Sequence, residues 1–210
     1  PPLGAGRFEF TTVATADQAT RFNFDNVGTR LADIDAISYA TYGEPSSIGA
    51  LGVARPSINI AVDFNGPSAP GGFTTLVFEP YESPLEGAVV PGVWQTWDAY
   101  AGNWWSTKPI PRALCGQACV VPWSVIIAAN PNATIRGGFG VNQGSSNPDL
   151  AAATDALTLG VNGTSVTYDF EPMKKDCKHD GGNALKAADG SSFPRAEERK
   201  APSKEKSDKH

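Results

Sequence analysis

Ser57-Ile58-Asn59-Ile60-Ala61-Val62-Asp63-Phe64-Asn65 decides the fold. Ile58, Ile60, Val62 and Phe64 alternate with Ser, Asn, Ala and Asp, and a period of two is that of a β-strand with one buried and one polar face. The same alternation recurs along the chain. Residues 7–11 and 21–25 each put two phenylalanines on one face, and residues 34–42, 73–79, 93–100, 134–142, 155–161 and 165–171 read as further strands. Between them stand turn clusters such as Asn65-Gly66-Pro67, Pro70-Gly71-Gly72, Pro91-Gly92 and Gly144-Ser145-Ser146-Asn147-Pro148. Val161-Asn162-Gly163-Thr164 predicts a two-residue hairpin turn with positive φ at both central positions, which pairs the last two strands.

One segment departs from the alternation. Residues 122–131 predict two turns of helix, with Ser124 as N-cap and Asn130-Pro131 as the stop, the alternative being a continuous buried strand. Short strands at regular spacing predict an all-β fold, an antiparallel β-sandwich of jelly-roll-like or related topology, with this one short helix.

The 210 residues suit one domain and a tail. Cut after Glu171, the chain divides into a body with seven Lys and Arg against fifteen Asp and Glu, net −8, and a tail with ten against seven, net +3. The expected domain is 1–171. The tail, 172–210, has hardly any large apolar side chain to offset its ordering entropy, so a charged, mostly disordered segment is expected there. The acidic body has Lys108 as its one lysine and offers no basic stripe for phosphates, so nucleic acid is not an expected partner. No run approaches the ~18 apolar residues of a membrane span. The chain opens at Pro1-Pro2-Leu3-Gly4 without an initiator methionine, which leaves a removed leader or a fragment as the two readings.

Cys115 and Cys119 form a Cys-x3-Cys pair, and Cys177 stands alone in the tail. Zinc needs about four ligands, and the two histidines, His179 and His210, lie beyond the body. A local disulfide is therefore expected, and with it an oxidising, extracellular setting.

Four of the five tryptophans fall in residues 92–107. In a strand, Trp94 and Trp97 point to opposite faces, as do the adjacent Trp104 and Trp105. The set Val93, Gln95, Trp97 and Ala99 is the more apolar, so Trp97 is expected in the core and Trp94 and Tyr100 on an outer face. Exposed rings beside Asp and Asn suit sugar recognition, the ring covering a pyranose face while the polar groups take its hydroxyls. Trp94, Asp98, Tyr100, Asn103 and Trp105 are the candidate ligand site; the competing reading has Trp94 under a loop and Trp104 packed beneath the turn at 109–111.

No cofactor motif is present. Asp63 and Asn65 offer two oxygens toward a calcium shell of six to eight, although turn formation at a strand end accounts for them equally. A body without histidine has no imidazole base for a serine or cysteine nucleophile. Glu79, Glu82, Glu86 and Asp98 are candidates for a glycosidase carboxylate pair, but the three glutamates stand among prolines, where solvated charge is the default. The chain is not expected to be an enzyme.

The run Gly28 through Tyr42, Thr74-Thr75-Leu76-Val77-Phe78-Glu79-Pro80-Tyr81, Trp94-Gln95-Thr96-Trp97-Asp98-Ala99, Trp104-Trp105-Ser106-Thr107 and the closing Thr167-Tyr168-Asp169-Phe170-Glu171 resemble segments of secreted, uncharacterised actinobacterial β-sandwich proteins. The resemblance spans roughly residues 6–171 and implies an extracellular jelly-roll domain similar in outline to carbohydrate-binding modules, without a catalytic motif. The tail departs from it: the second cysteine expected after Asp176-Cys177-Lys178 is absent, which implies a free or intermolecular thiol. The expected function is a secreted or cell-surface, non-catalytic module binding a polysaccharide or cell-surface glycan. A structural or adhesive domain that meets another surface protein is the alternative, and a glycan-cleaving enzyme the weaker one.

Overall fold

Ile58, Ile60 and Val62 are fully buried, and the polar residues that alternate with them form the opposite face of the strand. A computed structural model describes residues 1–47, 52–83 and 87–171, and beyond these the backbone of Leu185–Lys186 and Ser192–Phe193. Contacts divide the chain into two units, Pro1–Glu171 and Pro172–His210. In the second, Leu185–Lys186 pairs antiparallel with Ser192–Phe193. The expectations of a disordered tail and an unpaired Cys177 otherwise lie outside the described residues.

The first unit contains eleven strands: β1 (Phe8–Thr12), β2 (Ala19–Asn23), β3 (Ile34–Gly43), β4 (Ser57–Asp63), β5 (Phe73–Phe78), β6 (Gln95–Asp98), β7 (Asn103–Ser106), β8 (Val121–Pro122), β9 (Thr134–Gln143), β10 (Leu150–Val161) and β11 (Thr164–Tyr168). One antiparallel sheet runs β1-β10-β3-β6, with β11 also on β10; the other runs β2-β9-β4-β5-β7-β8. The pairs β1/β10, β2/β9, β3/β6 and β4/β5 are nested as in a folded ribbon, and rolling that ribbon joins β10 to β3 and β9 to β4. This is jelly-roll connectivity, with β7, β8 and a helix inserted before β9.

Tyr39 of β3 meets Phe78 of β5 edge-on at 6.1 Å, so aromatic rings from both sheets interlock in the core. Trp97 and Trp104 are fully buried, and each indole N–H finds an acceptor: Trp97 donates to the Thr41 hydroxyl at 2.8 Å, Trp104 to the Ala99 carbonyl at 2.7 Å. Trp104 packs against Phe78 and Trp123. At the β10–β11 hairpin, Asn162 and Gly163 have φ of 51° and 78°, the pair of positive values that the turn requires.

Three local expectations differ from the structure. The helix α1 (Trp123–Ala129) starts after Pro122, whose extended backbone is the N-cap, so Ser124 lies inside the helix and caps nothing; Asn130 does end it. Strand β2 stops at Asn23, whose side chain accepts from the Asp25 N–H at 2.6 Å in an Asx turn, so Phe24 falls outside the strand and is exposed, while Phe22 is half-buried. The strand predicted over 93–100 is confined to β6, and β7, which carries Trp104 and Trp105 and lies outside the predicted strands, belongs to the other sheet, because the chain turns at 99–102 and crosses over.

Candidate functional site

Pairing across the second sheet aligns one row of residues on its outer face. Phe22 stands opposite Gly140, Gly140 opposite Asn59, Asn59 opposite Val77 and Val77 opposite Trp105. With strands about 4.8 Å apart, the row spans roughly 19 Å from ring to ring. Gly140 leaves its place in the row without a side chain, and the closeness of β2 enforces this: a Cβ there would lie 2.0 Å from the Arg21 carbonyl oxygen. Phe22 lies across Gly138 for a similar reason, since a Cβ at Gly138 would meet its ring at 2.9 Å.

A groove of about 640 Å³ opens over the β4, β5 and β7 part of this face and the end of β9. Its floor includes Ser57, Asn59, Val77 and Asn142, and its walls come from Gln18, the 144–147 loop, Gln117, Tyr81 and Trp105. Such a volume is that of a small-ligand cleft. The floor is held by its own polar bonds: Ser57 donates to the Asn142 carbonyl at 3.1 Å, Ser57 and Asn59 are bonded at 2.9 Å, and the Gln18 amide donates to Asn142 Oδ1 at 3.0 Å.

At one wall the Glu79 carboxylate accepts from the Trp105 indole N–H at 2.8 Å and from the Tyr81 hydroxyl at 3.1 Å. Both rings are thereby tied to one anchor. Burial pushes the Glu79 carboxyl above its ordinary value, against the two hydrogen bonds, which favour its charged form. Burial and the nearby Glu79 charge together raise the Tyr81 phenol, so it remains a donor at neutral pH. Among the described residues, Glu79 and Arg55 are the charged ones that line the groove.

The sequence-predicted ligand residues are distributed over two sheets. Asn103 and Trp105 share the outer face of β7, and Trp105 lines the groove. Trp94 precedes β6 in the other sheet and lies beside Tyr42, their ring centroids 5.7 Å apart. Asp98, also on β6, is exposed and accepts from the Ala101 N–H at 3.2 Å. Tyr100 packs against the core near Trp123. Tyr81, Asn59, Asn142 and Gln18 were not singled out by sequence, and Glu79 was read there only as a candidate glycosidase carboxylate with solvated charge as the default; the polar face of the 57–65 strand is the signal that could have pointed to part of the site.

Asp63 and Asn65 are occupied by their turn. Asp63 Oδ1 accepts from the Asn65 N–H at 3.0 Å, and the Asn65 amide donates to the Pro70 carbonyl at 3.2 Å. Among the described residues no three His, Cys, Asp or Glu side chains gather where they could hold one metal ion. Cys115 and Cys119 have their Cα atoms 5.4 Å apart and their sulfurs at bonding distance, closing the loop that presents Gln117 to the groove. Among the described residues no helix is long and apolar enough to cross a membrane. No family model, curated protein or solved structure matches the chain.

Proposed function

We propose that the protein is a secreted or cell-surface, non-catalytic binding module that holds a carbohydrate chain in the groove on the outer face of its second sheet. The observation that carries this reading is the fixing of two aromatic side chains, Trp105 and Tyr81, by one carboxylate beside a floor of amides and hydroxyls. A ring covers the apolar face of a sugar, and preorganised amides take its hydroxyls without an added ordering cost. Concavity favours this over a protein partner, which would need a flatter and larger patch. Among the described residues Glu79 is the one carboxylate lining the groove, and hydrolysis of a glycoside ordinarily uses two, which supports binding over cleavage. The cysteine pair at bonding distance supports an oxidising, extracellular setting.

A second reading, an adhesive domain that meets another surface protein, has its own observation: Phe24 and Val27 are exposed in one loop, at 63% and 52%. The two readings separate by calorimetric titration with soluble plant and bacterial polysaccharides. The glycan reading predicts saturable binding by at least one of them and a loss of about tenfold or more in Trp105→Ala, while Phe24→Ser leaves the affinity unchanged. Binding that survives Trp105→Ala would remove the groove from consideration.

A further inference from the structure

Arg55 is almost wholly buried, 5% exposed, at the wall of the groove. Its guanidinium lies on Gly43, where a Cβ would come within 2.3 Å of Cζ, and Nη1 donates to the Ala54 carbonyl at 2.6 Å. The other terminal nitrogen, Nη2, is shut off from bulk solvent and has no acceptor among the described residues. Nor does the guanidinium form an ion pair with any carboxylate of the described residues. A buried cation is costly unless an anion or several acceptors compensate it, and one bond to a neutral carbonyl is little compensation. Burial accordingly pulls the guanidinium below its ordinary value. Anchoring against Gly43 and Ala54 would account for Nη1 and for the packing, but it leaves the charge of the guanidinium uncompensated.

We infer that the groove selects a sugar carrying a carboxylate, a uronate or another acidic sugar, with Arg55 as its specificity-determining cation. This rests on the carbohydrate reading above and adds the ligand class to it. The carboxylate approaches the guanidinium from the groove, whose wall Arg55 lines, and neutralises the buried charge. Among the described residues Arg55 is the one cation lining the groove, and the body around it carries a net −8, so a single acidic unit in an otherwise neutral chain fits better than a dense polyanion. Glu79 stands at the Trp105 wall, where a second carboxylate on the ligand would meet a like charge. A water trapped on Nη2 is the competing acceptor.

The test uses the full chain and three probes: a xylo-oligosaccharide bearing one glucuronate, a hyaluronan tetrasaccharide and an alginate tetrasaccharide. Each is titrated beside its own carboxyl methyl ester and beside neutral oligosaccharides of the same length. The expected result is that the singly charged probe binds about tenfold or more tighter than its ester, as a charge-assisted bond to a buried guanidinium implies. Arg55→Gln should abolish that difference while leaving affinity for the ester, and Arg55→Lys should retain part of it. Esters that bind as well as the acids, or an acid preference that persists in Arg55→Gln, would overturn the assignment while the glycan reading stands. The comparison of acid with ester on the unmodified protein holds even where a variant fails to fold. Absence of binding by every glycan, acidic or neutral, would overturn both.

Discussion

Replacing Trp105 with phenylalanine keeps an aromatic ring on the wall of the groove and removes the indole N–H that Glu79 accepts at 2.8 Å. The carboxylate is then left with the Tyr81 hydroxyl at 3.1 Å. A hydrogen bond to a charged group contributes about 1.5–3 kcal/mol and one between neutral groups about 0.5–1.5 kcal/mol, so the loss depends on whether Glu79 is ionised. Burial raises the Glu79 carboxyl, and the Trp105 bond works against that rise. In Trp105→Phe the carboxyl should therefore move up further. A carboxyl whose folded value lies above its unfolded one makes the fold lose stability as pH rises from the unfolded value, about 4.5, through the folded one. The variant should lose more over that window than the parent, by about 1 kcal/mol, the difference between the charged and neutral bonds. The change in ring size is the same at every pH and cancels. Urea unfolding of both proteins at pH 4 and pH 8, followed by circular dichroism, measures the difference directly. A destabilisation of equal size at the two pH values would refute the claim that the indole serves a buried carboxylate.

Other consequences follow from the core and the sheet. Thr41→Val removes the acceptor of the buried Trp97 N–H and should cost about 1–3 kcal/mol in unfolding free energy; a cost near zero would mean that the indole finds another partner. Gly140→Ala should cost about 1–3 kcal/mol through overpacking, with amide exchange accelerated in β2 and β9 and not in β1, because its Cβ would run into the Arg21 carbonyl. Reduction of Cys115–Cys119 releases a loop of only a few residues, so chemical denaturation should show a loss of no more than about 2 kcal/mol with the fold retained.

The strands were legible because their faces differ. Ile58, Ile60 and Val62 against Ser57, Asn59 and Asp63 mark a half-buried strand without reference to anything distant, and Asn162-Gly163 marks its hairpin because few other residues accept two positive φ values in succession. The separation of Trp97 from Trp94 and the opposition of Trp104 and Trp105 were legible for the same reason. Sheet membership was not. Trp94 and Trp105 are close in sequence, yet the turn at 99–102, fastened by the Tyr100 N–H on Ile37 O at 3.0 Å, carries the chain from one sheet to the other. Glu79 read as a solvated loop charge because its two donors, Tyr81 and Trp105, include one 26 positions away. Arg55 gave no local sign at all, since its burial depends on the backbone of β3 leaving room at Gly43.

The most direct test of the proposed site is nuclear magnetic resonance of the labelled protein titrated with a glycan that binds it. The account predicts shifts confined to the backbone amides of Asn59, Val77, Trp105 and Asn142, the Gln18 side chain and the Trp105 indole N–H, with Trp94 and Asp98 on the other sheet unmoved. Shifts centred on Trp94, Tyr42 and Asp98 would contradict it and move the binding surface to the opposite face of the sandwich.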